Sequence, residues 1–343
     1  MIRLGIICPS EIAFRRFLPA LQKVKGIEFC GIGIANAEEW YGEGIRFSEE
    51  ENRERIEREK TRAQEFINTM SRGKLYESYT ELVSAKDVDA VYLPLPPALH
   101  FKWARKALEK GKHVFVEKPS TTSLADTREL VSMAKERKLA LHENYMFVYH
   151  RQLEELNEIV RKGTIGDVRL YRITFGFPRR ARNDFRYNKV LGGGALIDAG
   201  GYTLKYAAYL LGDTARLSTA QLNYEEGFDV DMYGSATMIN DQGVTAQLAF
   251  GMDNDYKCEI EVWGSIGTLT SGRILTAPEG LVPEYTIKKN QSYETFCFSS
   301  DDAFMKSIEV FKSCVENDGE REEEYQKMLH QSALLEQFKT LVG

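Results

Sequence analysis

Hydrophobic and polar positions follow two different rhythms along this 343-residue chain. In the first half, short apolar runs alternate with amphipathic stretches, which predicts successive strand and helix units around a parallel sheet. Leu4 to Cys8 and Ile27 to Ala35 read as the first two strands, and Asp89 to Pro94, Lys112 to Val116 and Leu139 to Leu141 as later ones. Ile12, Phe14, Phe17, Leu18 and Leu21 recur at helical spacing on the way to Val24, with Pro19 placed where it predicts a kink or an early break. Helices are also predicted over Leu99 to Leu108 and Ala125 to Arg137. Ser48 to Lys60 is nearly all charged, and reads as an inserted, solvated helix face laced with (i, i+4) pairs.

Beyond about residue 145 the period shortens. Val168 to Phe175, Leu217 to Tyr224, Met232 to Ile239, Val244 to Gly251 and Cys258 to Gly264 alternate as strands do, without helices between most of them, which favours an antiparallel sheet. Asn240-Asp241-Gln242-Gly243 suits a hairpin turn, and Ala303 to Val315 and Glu322 to Leu341 return to helix. The class is therefore α/β, with the two architectures following one another.

Composition narrows the function. With 43% hydrophobic and 28% charged residues the chain is globular rather than disordered or fibrous, and a formal charge of -6 gives no basic footprint for nucleic acid. No apolar run reaches the roughly 18 residues of a membrane helix, and the opening residues run straight into a strand, so a cytoplasmic protein without a membrane partner is expected. The five cysteines form no C-x-x-C pair and the five histidines lack (i, i+4) spacing, so reduced thiols and no metal site are expected.

A strand, a turn and a helix at the N-terminus form a standard seat for a dinucleotide pyrophosphate, because helix N-terminal amides favour an anion. Where G-x-G-x-x-G/A is wanted, this chain has Cys8-Pro9-Ser10-Glu11-Ile12-Ala13. Ser10 exchanges a glycine for a hydroxyl, Pro9 removes one N–H donor, and Cys8 requires a turn that avoids positive φ. At the end of the second strand, Ala35-Asn36-Ala37 offers neither the acid that suits NAD nor the arginine that suits NADP, which leaves the choice open.

Three further segments occur in one order. They are Pro94-Leu95-Pro96-Pro97-Ala98-Leu99-His100, then Glu117-Lys118-Pro119, then Leu191-Gly192-Gly193-Gly194-Ala195-Leu196-Ile197-Asp198-Ala199-Gly200-Gly201-Tyr202. Together they closely resemble the glucose-fructose oxidoreductase / inositol dehydrogenase (Gfo/Idh/MocA) family, and Ser10 to Leu21 looks like its nucleotide-linked ketosugar reductase branch. The resemblance implies a doubly wound Rossmann domain over residues 1–145, and a substrate-binding α+β domain with a largely antiparallel open sheet over 146–343. It further implies NAD or NADP as cofactor, and a homo-oligomer, dimer or tetramer, formed through the second sheet. Lys118 matches the family's catalytic lysine, Tyr202 stands where many members have histidine, and Asp198 matches a residue facing the substrate. Cys8, Pro9, Ser10, Glu11, Ile12, Asn36, Pro94, Leu95, His100, Glu117, Lys118 and Asn144 are the expected cofactor contacts, with Glu117 by the nicotinamide ribose and a cis bond expected at Pro119. His150 and Arg186 join Asp198 as substrate candidates.

Hydride transfer to a ketone builds negative charge on the carbonyl oxygen, so the site needs a proton donor and a positive charge near it. Tyr202 is assigned as acid/base and Lys118 as its electrostatic partner, since a cation beside a phenol favours the tyrosinate; the exchanged assignment stays open, because the sequence does not fix which group reaches the oxygen first. The expected function is hydride exchange between NAD(P) and a hydroxyl or keto carbon of a sugar, with nucleotide-linked keto sugars included. Two alternatives stand beside it: NAD-dependent glycoside cleavage on the same fold, and a non-catalytic dinucleotide- or sugar-binding protein. Isolated, Lys118 would read as a strand-end partner of Glu117, Asp198 as a helix cap, and Tyr202 as a packing residue.

Overall fold

The computed structural model describes residues 1–36, 38, 39 and 48–343, so Ala37 lies outside the described residues. The chain divides into two compact units, one of Met1–Asn144 with Ser307–Leu329, the other of Tyr145–Lys306 with His330–Gly343. The sequence pattern places all of 146–343 in the second part. The structure instead returns Ser307–Leu329 to the first unit, where Phe311 packs edge-on against Phe115 and the Tyr325 hydroxyl donates to the Leu139 carbonyl.

The first unit is built on β1 (Ile2–Ile6), β2 (Ile27–Gly33), β3 (Lys74–Tyr76), β4 (Ala90–Leu93), β5 (His113–Glu117) and β6 (Leu141–Asn144). Every pair is parallel, in the order β3-β2-β1-β4-β5-β6. The runs Leu4, Ile6 and Val91, Leu93 and Val114, Val116 are wholly buried, as a sheet covered on both faces requires. The order reverses between β1 and β4, and such reversals open a crevice at the carboxyl ends of the strands.

The helices of this unit are α1 (Leu18–Leu21), α2 (Glu49–Met70), α3 (Tyr79–Ser84), α4 (Pro97–Glu109) and α5 (Leu124–Arg137). The kink expected at Pro19 takes the form of a widened π turn over Ala13–Phe17 just before α1. Pro19 has no N–H to return to Arg15, and a widened turn is one way a helix absorbs that loss. Helix α2 opens with a capping box in which the Glu51 amide donates to Ser48 Oγ (3.2 Å) and the Ser48 amide to Glu51 Oε2 (2.8 Å). Its expected all-solvated face needs correction, because Arg55 and Glu59 are buried. Glu59 accepts the Ala35 amide at 3.0 Å, and burial pushes its carboxyl up to about 7.

The second unit contains β7 (Val168–Gly176), β8 (Arg216–Tyr224), β9 (Asp231–Ile239), β10 (Thr245–Gly251), β11 (Lys257–Gly264), β12 (Thr268–Gly272), β13 (Glu284–Lys289) and β14 (Ser292–Cys297). They form one eight-stranded open sheet, antiparallel except where β7 and β10 run side by side in parallel. The hairpin at Asn240 to Gly243 joins β9 to β10, with Asn240 Oδ1 accepting from the amides of Gln242 and Val244 and Gly243 at φ +79°. Its helices are α6 (Arg151–Arg161) and α7 (Gly201–Leu211), with α8 (Ala303–Glu316) and α9 (Asp318–Val342) shared with the first unit as divided above. Among the described residues no helix is long and apolar enough to cross a membrane.

At the start of β5, His113 Nδ1 accepts the Ala140 amide at 2.9 Å, so the folded state needs a neutral ring. Burial holds the proton off, lowering His113 from 6.5 to about 4. Between those values the unfolded chain binds a proton that the folded chain refuses, so this group makes stability fall as pH drops from 6.5 to about 4. Urea denaturation of the His113→Asn variant, whose amide oxygen can still accept from Ala140, should show a flatter stability curve across that window; an unchanged slope would remove His113 as a cause.

Candidate active site

At the carboxyl end of β1 the chain turns through Ile7 to Ser10 and enters helix at Glu11. None of Cys8, Pro9, Ser10, Glu11 or Ile12 takes a positive φ, which is why this turn closes without the usual glycines. Ser10 Oγ accepts the Ala13 amide at 3.3 Å, and the Ser10 carbonyl accepts Phe14 N–H at 3.1 Å. The first-turn amides that follow are those an anion would use. Asn36 instead spends its side-chain oxygen on its own turn, accepting from the amides of Glu38 (3.0 Å) and Glu39 (3.1 Å).

On the other side of the strand reversal, β4 is followed by Pro94 and Leu95, and β5 ends at Glu117 with Lys118 next. His100, fully buried near the start of α4, puts Nε2 2.7 Å from the Leu95 carbonyl and Nδ1 2.7 Å from the Pro119 carbonyl. Burial pushes the ring down to about 4, and a neutral ring donates to one of the two oxygens and packs against the other strand end. The Lys118–Pro119 bond is cis, as the resemblance implies.

Glu117 is the centre of this group. Its Oε1 accepts from Tyr92 Oη (2.7 Å) and from Asn144 Nδ2 (2.7 Å). Burial pushes its carboxyl above the usual range, while those two donors and the Lys118 charge pull it back. Glu117, Lys118 and Asn144 are thus brought together at neighbouring strand ends. Tyr92 was not foreseen, although as a strand residue facing the same way as the Glu117 carboxylate it carries the only polar group in Val91-Tyr92-Leu93.

In the second unit the glycine-rich segment runs into another π turn, Leu196–Gly200, at the head of α7. Its glycines make room for protein atoms rather than for a ligand. A Cβ on Gly193 would meet the Arg186 carbonyl at 2.3 Å, and one on Gly194, at φ +122°, would meet Asp231 Oδ1 at 2.3 Å. Asp231, which sequence reasoning missed, accepts the Leu196 amide at 2.6 Å and so caps this helix from β9. Asp198 Oδ2 accepts from Arg186 Nε at 2.6 Å, and Arg186 Nη1 lies 3.1 Å from Asp184. Arg186 is therefore held between two carboxylates, which leaves it little free charge for a substrate anion.

Tyr202 sits four residues on from Asp198, mostly buried among the rings of Tyr145, Phe147 and Phe175 with centroids 5.2–5.5 Å away. Gly201 allows this, since a Cβ there would lie 2.3 Å from the Tyr145 hydroxyl. His150 is buried; its Nδ1 accepts the Gln152 amide at 3.2 Å, capping α6, and its Nε2 has no hydrogen-bond partner among the described residues.

The first unit suits a dinucleotide on two observations: a glycine-free turn leading from β1 into a helix at one side of the strand reversal, and a carboxylate with fixed donors at the other. A nicotinamide-dependent oxidoreductase is the class that this fold and site define. Comparison with known proteins agrees: residues 26–145 match the GFO/IDH/MocA oxidoreductase family with NAD-binding Rossmann fold, and residues 153–270 its C-terminal domain. The chain is 35% identical over 339 residues to a dTDP-3,4-didehydro-2,6-dideoxy-alpha-D-glucose 3-reductase of Actinomadura kijaniata, covering 99% of this chain and 95% of that protein. It is 35% identical over 321 residues to the Streptomyces violaceoruber protein of the same name, covering 93% and 86%. The crystal structure of the A. kijaniata 3-ketoreductase KijD10 with NADP and TDP-benzene superposes with a TM-score of 0.88 at 35% identity, covering 99% of this chain and 98% of that one. KijD10 has also been solved with one tyrosine replaced by phenylalanine and with one lysine replaced by alanine. The chain belongs to the Gfo/Idh/MocA family and is an NAD(P)-dependent oxidoreductase.

The Arg186 arrangement yields a stability test. Truncation to Met leaves two largely buried carboxylates facing each other and should lower the unfolding free energy by about 2–4 kcal/mol in urea denaturation, with Arg186→Lys recovering less than half because an ammonium cannot bridge both. A loss under about 0.5 kcal/mol, the size of a surface pair, would contradict the reading.

Proposed function

We propose that this protein is an NADP-dependent reductase of a nucleotide-diphosphate-linked keto sugar, with the carbonyl at carbon 3 of a deoxyhexose as its target. The observation that carries this is similarity over 99% of the chain to keto-sugar 3-reductases, with Lys118 and Tyr202 at the positions that the family resemblance makes catalytic. The solved relative that holds NADP and a TDP analogue supports the cofactor and the nucleotide.

When bound, the reduced nicotinamide supplies a hydride to the carbonyl carbon. Tyr202 then delivers its hydroxyl proton to the carbonyl oxygen, giving the alcohol, and recovers a proton from water. Its aromatic surroundings keep the ring in one orientation, which suits a group that must present a proton at one point. Lys118 stabilises the negative charge that develops on that oxygen. Glu117 accepts from a ribose hydroxyl of the dinucleotide, and Asn144 keeps that carboxylate in place.

Asp198, fixed by Arg186, accepts from a sugar hydroxyl, and the partnerless Nε2 of His150 is a donor suited to a second sugar oxygen. Arg180 and Arg182, exposed on the loop after β7, carry the positive charge that a diphosphate needs once Arg179 and Arg186 are claimed by carboxylates. The exposed outer row of the eight-stranded sheet, which includes Arg172, Gln221 and Gln247, is the face on which homo-oligomers form in this reading.

Tyr202→Phe and Lys118→Ala should each lower kcat with a TDP-linked 3-keto sugar by about 10²–10⁴-fold, and NADPH binding to Tyr202→Phe, followed by nicotinamide fluorescence, should change less than about threefold. Retention of more than a tenth of the activity in both variants would exclude them as the acid and the electrostatic partner.

A further inference from the structure

A chain of hydrogen bonds runs behind Glu117, and the chemistry described so far does not use it. His142, on β6, is wholly buried, as are Ser307 and, nearly so, Asn144, whereas Glu117 at the far end is partly exposed. His142 Nε2 lies 2.9 Å from Ser307 Oγ, Ser307 Oγ donates to Asn144 Oδ1 at 2.8 Å, and Asn144 Nδ2 donates to Glu117 Oε1 at 2.7 Å. On its other side, His142 Nδ1 is 2.9 Å from Glu324 Oε2, and Lys327 lies 2.8 Å from the same carboxylate. All of these residues belong to the first unit, and Ser307 and Glu324 come from the returning segment Ser307–Leu329.

The direction of each bond follows from counting protons. A carboxylate only accepts, so Asn144 must turn its NH₂ toward Glu117 and its oxygen toward Ser307. Ser307 has a single hydroxyl proton, which goes to Asn144, so His142 Nε2 faces its oxygen as a donor; the Glu324 carboxylate facing Nδ1 also only accepts, so this arrangement places an N–H on both ring nitrogens. Remove that donor, and Ser307 is free to turn its proton elsewhere. Asn144 Oδ1 then loses its donor, and the side chain that holds the Glu117 carboxylate is no longer anchored from behind.

We propose that His142 is a positioning residue of the oxidoreductase site: acting through Ser307 and Asn144, it fixes the Glu117 carboxylate in the orientation that receives the dinucleotide. The inference rests on the reading of Glu117 as a dinucleotide contact. His142 touches no substrate or cofactor itself; its effect arrives through two intervening side chains. The segment around Ser307 thereby takes part in the site although it lies some 160 residues further along the chain, a separation of 165 between His142 and Ser307.

The test uses the full chain and NADPH as probe, with binding followed by nicotinamide fluorescence and stability by thermal melting. Ser307→Ala and His142→Leu each break the chain and should weaken NADPH binding about five- to tenfold, the worth of one buried hydrogen bond. His142→Gln keeps an N–H able to reach Ser307 and should bind within about twofold of the unaltered protein. Both His142 variants lose the Glu324 pairing, so similar drops in melting temperature are expected from both. A merely structural role predicts that binding follows melting temperature, with Gln as damaging as Leu; that result, or unaltered NADPH binding in His142→Leu and Ser307→Ala, would overturn the proposal. If the unaltered protein binds neither NADPH nor NADH at millimolar concentration, the dinucleotide reading falls as well, which separates the two failures.

Discussion

A carboxylate drawn away from water at the end of a parallel strand has to be met by donors, and at Glu117 that requirement organises the first unit. Burial alone would drive its proton on; Tyr92 and Asn144 supply the hydrogen bonds that favour the charged form. Those donors come from the strands on either side, β4 and β6, so the ladder that sets their register also sets the site. His100 packs between the segments that follow β4 and β5, facing the Leu95 and Pro119 carbonyls. A site built on neighbouring strand ends is more rigid than one built on loops, which suits hydride chemistry in which a small misplacement costs much of the rate.

The second unit solves a similar problem by close packing. Its glycine run admits the Arg186 turn and the Asp231 carboxylate against the backbone, and the π turn that follows carries Asp198 toward Arg186. Widened turns of this kind are often found at functional positions. The result is an acid held by an arginine and a phenol held by three rings, on the same stretch of helix. Neither residue is left to choose among rotamers.

Much of this was legible in the sequence because local rules govern it. The alternation of β4 and β5, the hairpin at Asn240 to Gly243 and the motif around Lys118 are each set by neighbours within a few residues, and the architecture of both sheets followed. What escaped depends on contacts between distant parts of the chain. Ser307–Leu329 has an ordinary amphipathic pattern that does not say which sheet it covers, and only the structure shows Phe311 and Tyr325 on the first. Arg55 and Glu59 sit in a run of charges whose composition speaks for water, yet Glu59 is needed by the Ala35 amide. The parallel pairing of β7 with β10 is likewise invisible to alternation, which reports faces and not neighbours.

The account stands on transfer of hydrogen from a reduced nicotinamide to a sugar carbon. The most direct measurement is to incubate the enzyme with NADPH carrying deuterium at the reactive ring position and a TDP-linked 3-keto deoxysugar, and to locate the label in the product by NMR and mass spectrometry. One deuterium bonded to carbon 3 of the sugar, with none acquired there from deuterated water when unlabelled NADPH is used, is the predicted result. A product that takes its carbon-bound hydrogen from solvent, or a sugar recovered with its carbonyl intact while the dinucleotide is bound, would contradict it.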